Sequence, residues 1–226
     1  EMIQRLPSDC YLHLGILNSL RAWNFCPLRK DIKGFSNTGG FGIDGLISSL
    51  VGGALSDKGS LHYQVIGDLA FFYDMNVLGN HHVPLTVRIL LINNGKGTEF
   101  RNYTHFASEF GDEADDFIAA GGHYGNKSYK LVKHYAEDLG FEYLTASNKQ
   151  EYLKQLDIFC NPKRREKPII FEVFTNNEDE DKALHIMRNL GTTKCSMIKK
   201  AAKNTVKEVI GDKRVQSLKK LIRKQS

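Results

Sequence analysis

Tyr63-Gln64-Val65-Ile66-Gly67-Asp68-Leu69-Ala70, followed by Leu90-Leu91-Ile92-Asn93-Asn94-Gly95-Lys96-Gly97, is the pair of segments on which the fold turns. Each begins as a short run rich in aliphatic residues, the composition of a strand buried on both faces, and each ends in a polar, glycine-containing turn. Between them, residues 69–79 read as a helix. Strand, helix, strand is the unit from which a parallel sheet is built.

Working outward from that unit, the alternation continues. Residues 8–16 alternate weakly and end near a glycine, as a short strand would, and Asn18-Ser19 open a possible helix. Residues 43–55 carry small and apolar side chains at helical spacing, with Asp44 expected in the first turn. Strands are expected at 85–92, 141–144 and 168–174, and helices at 129–139, where Gly140 is a plausible C-cap, and 149–159. The polar stretch 98–125 shows no period. The fold class is α/β, a parallel sheet with helices on both faces, over residues 1–187; residues 188–226 form a basic amphipathic helical tail.

In sheets of this kind ligands bind at the carboxyl ends of strands. Gly67-Asp68 and Asn93-Asn94 are two such ends with the chemistry of an anion–metal site. Neither a Walker A loop nor a G-x-G-x-x-G turn is present, so the usual nucleotide-binding motifs are missing. Taken singly, Asp68 is also an ordinary helix N-cap and Asn93-Asn94 ordinary turn chemistry.

Charge is divided unevenly. The chain has a net +5, but from Arg188 onward twelve Lys and Arg stand against Glu208 and Asp212, which leaves the first 187 residues at −5. The tail has apolar positions at helical spacing, which suits packing on its own protein, an anionic membrane surface or a partner. It lacks interleaved aromatic residues, so nucleic acid is not expected. Cys10, Cys26, Cys160 and Cys195 form no C-x-x-C pair and read as reduced thiols of a cytoplasmic protein. The first residue is not Met, which suggests a piece of a longer protein.

Asp68 and Asn94 lie 26 positions apart. G-D at one strand end and N-N at the next resembles the signature of thiamine diphosphate (ThDP) enzymes. Ser36-Asn37-Thr38-Gly39-Gly40-Phe41-Gly42-Ile43-Asp44-Gly45 is similar to a stretch of the menaquinone-pathway family that makes 2-succinyl-5-enolpyruvyl-6-hydroxy-3-cyclohexene-1-carboxylate, the SEPHCHC synthases. Asp74-Met75-Asn76 also follows that family's pattern, although helix-surface or structural roles suit Asp74 and Asn76 better than ligation.

The resemblance implies a diphosphate-binding domain of a 2-oxo acid decarboxylase or carboligase with ThDP and Mg²⁺. Asp68 would supply a carboxylate and Asn94 an amide oxygen to the metal, with the Lys96 carbonyl as third ligand. Mg²⁺ prefers such hard oxygen donors and keeps its other positions for phosphate and water. The Gly67–Asp68 turn and the N–H groups of Leu69 and Ala70 would seat the diphosphate. Ile43 would wedge beneath the cofactor, with the Phe41 carbonyl and the Ile43 N–H on its aminopyrimidine edge.

The activating Glu of such enzymes sits on a pyrimidine-binding domain, usually of a neighbouring subunit, so the resemblance implies a homo-oligomer and an isolated chain without activity. Thr38 and Trp23 stand where the family places two arginines that grip a dicarboxylate substrate, with Arg21 close by. That departure favours a smaller or differently charged 2-oxo acid, as in an enzyme of surface-polysaccharide synthesis. The alternative of another kind is a degenerate, non-catalytic fold used for assembly.

Overall fold

The computed structural model describes residues 1–38, 42–100, 106–115, 117, 128–163 and 165–190. The chain divides into two compact units, Glu1–Lys182 and Ala183–Ser226. Beyond Leu190 the basic tail lies outside the described residues, as do Phe41 and residues 118–127.

In chain order the elements are α1 (Met2–Arg5), β1 (Tyr11–Leu14), α2 (Asn18–Trp23), β2 (Lys33–Ser36), α3 (Leu46–Ser56), β3 (His62–Gly67) and α4 (Asp68–Asp74). Then come β4 (Val87–Asn93), α5 (Leu131–Asp138), β5 (Glu142–Ala146), α6 (Lys149–Phe159), β6 (Ile169–Phe174) and α7 (Asn177–Asn189). Short 3₁₀ turns occupy Met75–Gly79, Thr98–Phe100 and Phe106–Ala114.

The six strands form one sheet in the order β2-β1-β3-β4-β6-β5, and every pairing is parallel. Parallel strands covered on both faces need apolar residues at nearly every position. Strand β4 shows why: Val87, Ile89 and Leu91 pack with α3, α4 and α5, whereas Leu90 packs with α1 and α6 on the opposite face. Helix α3 meets the sheet through Leu46, Ile47, Leu50, Val51 and Ala54, all buried and spaced three or four apart.

Arg88 breaks the apolar run of β4 and is almost fully buried. Its guanidinium donates to the carbonyls of Phe159 and Asn161, each at 2.6 Å, to that of Lys163 at 3.2 Å, and to the Tyr63 hydroxyl at 3.0 Å. It thereby satisfies the carbonyl of buried Phe159 at the C-terminus of α6 and ties down the Asn161 and Lys163 carbonyls just beyond it.

Several expectations shift. The helix expected from residue 43 begins at Leu46, and Asp44 lies outside it, ahead of the Gly45 cap. Asp74 supplies the missing acid instead, accepting from the Ser48 N–H at 2.7 Å and hydroxyl at 2.8 Å. Phe25 is exposed, and Trp23 is half-buried. Strand β2 and helices α1 and α7 were not expected. Cys10 and Cys160 are free and buried, and burial pushes their thiols up to about 11 and about 12. Among the described residues no helix is long and apolar enough to cross a membrane.

Candidate functional site

Strand order locates the site before any side chain is considered. From β1 the chain turns to β2 on one side, and from β3 to β4 on the other, so β1 and β3 flank a switch point of the sheet. Gly15, just past β1, approaches β3 so closely that a Cβ there would sit 3.1 Å from the Val65 carbonyl oxygen. Asp68 follows directly on the last residue of β3, and Gly67 pairs with Ile92 of β4. The two expected strand ends are therefore neighbours.

Asp68 is 4% exposed. Its carboxylate accepts backbone N–H bonds from Leu69 and from Gly95 in the loop after β4. Desolvation nevertheless dominates and pushes its pKa up to about 7, and the nearby Glu180 carboxylate adds to the rise. The Leu69 N–H, expected to face a diphosphate, is turned to Asp68 here.

Gly95 has φ 81°, a left-handed conformation that costs glycine little, and this folds the loop back. Its N–H also lies 3.2 Å from Asn93 Oδ1. Asn93 Nδ2 donates to Glu172 at 2.7 Å, and Glu172 accepts from the Tyr143 hydroxyl at 2.6 Å. Asn94 Oδ1 accepts the Lys96 N–H at 3.1 Å, and Asn94 Nδ2 donates to Glu180 at 2.7 Å. The Lys96 ammonium is paired at 2.6 Å with Asp115.

Helix α2 closes one side, with Asn18 donating to Thr98 and Arg21 paired with Glu99. Ile43 is half-buried against the cluster formed by α3 and α4. Asn37 donates to the Gly45 carbonyl at 3.2 Å and the Ser49 hydroxyl at 2.6 Å.

The donor set fits a hard divalent cation: a buried carboxylate whose hydrogen-bond partners are backbone N–H groups, beside a neutral amide. A cation at this point would relieve the cost of ionising Asp68. Among the described residues no group of three or more His, Cys, Asp or Glu could hold a metal by itself. A groove of about 600 Å³ lined by Glu137, Tyr143 and Arg165 lies at the N-terminal ends of β5 and β6, away from Asp68. Its most prominent polar feature is the Arg165–Glu142 ion pair at 2.7 Å.

Sequence reasoning missed Glu172 and Glu180. The signal for Glu172 was a lone acid inside the β-branched and aromatic run 169–174. Glu180 lay hidden in an acidic run that reads as solvated surface.

No family model matches the chain. Among curated proteins it is 34% identical over 184 residues to the SEPHCHC synthase of Bacteroides fragilis, covering 81% of this chain and 32% of that protein. The corresponding enzyme of Bacteroides thetaiotaomicron is 35% identical over 184 residues, and that of Phocaeicola vulgatus 32% over 180. The chain thus spans about a third of the length of these relatives. A solved structure, the ThDP-dependent 4-hydroxybenzoylformate decarboxylase of Rhodococcus jostii RHA1, superposes with a TM-score of 0.56 at 19% identity, over 77% of this chain and 31% of that one. Over four-fifths of its length this chain is a relative of the SEPHCHC synthases, and its fold is that of a ThDP-dependent enzyme.

Proposed function

We propose that this chain is the C-terminal diphosphate-binding domain of a ThDP- and Mg²⁺-dependent enzyme that decarboxylates a 2-oxo acid and joins the remainder to an acceptor. The observation that carries the reading is the buried Asp68 carboxylate, hydrogen-bonded by backbone N–H groups and set beside the Asn94 loop at a switch point of the sheet.

In this reading Asp68, Asn94 and the Lys96 carbonyl hold Mg²⁺, and the Gly67–Ala70 turn receives the diphosphate. Ile43 supports the cofactor from below, with Phe41 and the Ile43 N–H at its pyrimidine edge. When bound, ThDP supplies a nucleophilic carbon and the electron sink for loss of CO₂ from a 2-oxo acid. The chain's own residues fix the metal, orient the cofactor and shield one side of it from water.

The activating Glu belongs to a pyrimidine-binding domain, so the working unit is a homo-oligomer of a longer protein. Exposed Phe106, Phe110 and Phe117, close in sequence to the site loop, suit burial against such a partner. The basic tail is proposed as a second contact, with anionic lipid or protein, and the compartment as cytoplasmic.

One observation favours a substrate other than 2-oxoglutarate. Arg21, the cation nearest to the positions of the family's two arginines, is paired with Glu99, and Thr38 is exposed and uncharged. Each lost charge-assisted hydrogen bond to a dicarboxylate is worth roughly 1.5–3 kcal/mol. The full-length protein should therefore use a small 2-oxo acid such as pyruvate better than 2-oxoglutarate, and Thr38→Arg should shift it back. Efficient use of 2-oxoglutarate with isochorismate by the wild type would restore the menaquinone reaction.

The cofactor itself is tested by calorimetric titration of ThDP into full-length protein with and without Mg²⁺. Binding that needs Mg²⁺ and is lost in Asp68→Ala is expected. Equal binding by wild type and variant would refute the assignment.

A further inference from the structure

We propose that Glu180, near the start of α7, is a positioning residue that fixes the Asn94 amide for the cation. This rests on the reading of Asp68 and Asn94 as the Mg²⁺ seat.

A side-chain amide presents a donor and an acceptor of nearly equal shape, so nothing in Asn94 alone decides which one faces the site. Glu180 decides it. An ionised carboxylate only accepts hydrogen bonds, so the atom 2.7 Å from its Oε2 is Asn94 Nδ2. Oδ1 then points to the loop, where it accepts the Lys96 N–H at 3.1 Å and keeps a second lone pair for a metal.

Glu180 is itself held, because its Oε1 accepts the Thr175 hydroxyl. With both oxygens engaged by donors, Glu180 acts behind the metal ligand rather than as one. Its neighbours on α7 behave differently: the Glu178 and Asp179 side chains are 79% and 72% exposed, whereas Glu180 is half-buried. The same device recurs one residue earlier, where buried Glu172 of β6 accepts from Asn93 Nδ2 and leaves Asn93 Oδ1 for the Gly95 N–H. Two carboxylates from elements late in the chain thus orient both asparagines of the N-N pair. Groups standing behind a metal ligand typically change metal affinity 10- to 100-fold when removed.

The test titrates Mn²⁺, followed by its paramagnetic resonance signal, into full-length protein at excess ThDP, with apo melting temperatures recorded alongside. Glu180→Leu, which offers no acceptor, should weaken Mn²⁺ binding about 10- to 100-fold. Glu180→Gln, which still offers a carbonyl oxygen to Nδ2, should recover most of that loss, and Glu178→Gln should match wild type. Should Glu180→Leu fail to fold, Thr175→Val, which frees Oε1, should weaken Mn²⁺ binding several-fold with an unchanged melting temperature.

Equal losses in Glu180→Gln and Glu180→Leu would show that charge, not orientation, matters and would overturn the proposal. Wild-type affinity in Glu180→Leu, or in Thr175→Val if that variant has to serve, would overturn it as well. If wild type itself binds no Mn²⁺ with ThDP, it is the underlying cofactor reading that fails.

Discussion

At Asp68 the needs of stability and of the proposed metal binding conflict. Burial raises its pKa to about 7, so in the metal-free chain this group favours folding below its unfolded value, near 3.8, and that stability is lost as pH rises through 7. At 1.36 kcal/mol per unit the loss amounts to at most roughly 4 kcal/mol by pH 8. Asp68→Asn should therefore raise the melting temperature of the metal-free chain at pH 8 while abolishing Mg²⁺-dependent ThDP binding. A variant that melts lower at every pH would show Asp68 to be a structural acid. His13 works in the opposite sense. Burial, with His62 nearby, lowers its pKa to about 4, so its contribution is present above 6.5 and is lost as pH falls toward 4. His13→Phe should flatten the acid limb of a melting-temperature profile between pH 6.5 and 4, and an unchanged limb would assign it to other groups. That Asp68 and Asn94 would come together was legible in the sequence, because two strand ends carried matching chemistry at a fixed spacing and β3 pairs with β4. The carboxylates that partner Asn93 and Asn94 were not, since Glu172 and Glu180 take on that role only when β6 is laid beside β4.

Among the elements, those legible in the sequence were the ones buried on a regular period. Strands β3, β4 and β6 announce themselves by unbroken aliphatic and aromatic runs, and α6 begins and ends where its spacing predicts. Strand β2 was missed because Lys33-Gly34-Phe35-Ser36 is an exposed edge with a glycine and no apolar alternation. Helix α7 was missed because its acidic first turn resembles a linker. The signal present was Asn176, whose side chain caps the Asp179 N–H at 2.8 Å ahead of acids that suit a helix N-terminus. Arg88 ties two elements together. Arg88→Met should strip a donor from the buried Phe159 carbonyl at the end of α6 and from the more accessible carbonyls of Asn161 and Lys163, and cost roughly 1–3 kcal/mol, read as a lower denaturant midpoint at constant slope. A loss below about 1 kcal/mol would mean that water replaces the guanidinium.

On the scale of the molecule, a parallel sheet with one switch point near β3 brings distant motifs to one place. The 36–45 stretch, Gly67–Asp68 and Asn93–Asn94 come from separate parts of the chain, yet Asn37, α3, α4 and the β4 loop are packed around the same strand ends. The chain spans about a third of the length of its relatives, and on the proposed reading it carries one wall of the site. Isolated, it should bind ThDP at least about tenfold more weakly than the full-length protein, because the cofactor is buried on one side only. It should turn over no 2-oxo acid, and turnover by the purified chain would contradict this division of labour. The most direct measurement is a crystal structure of the full-length protein with ThDP and Mn²⁺, with the metal located by its anomalous scattering. The account predicts Mn²⁺ at about 2.1–2.2 Å from an Asp68 carboxylate oxygen and Asn94 Oδ1, bridging to the diphosphate, with Glu180 behind Asn94 and off the metal. Diphosphate bound elsewhere, or a metal held without Asp68, would contradict it.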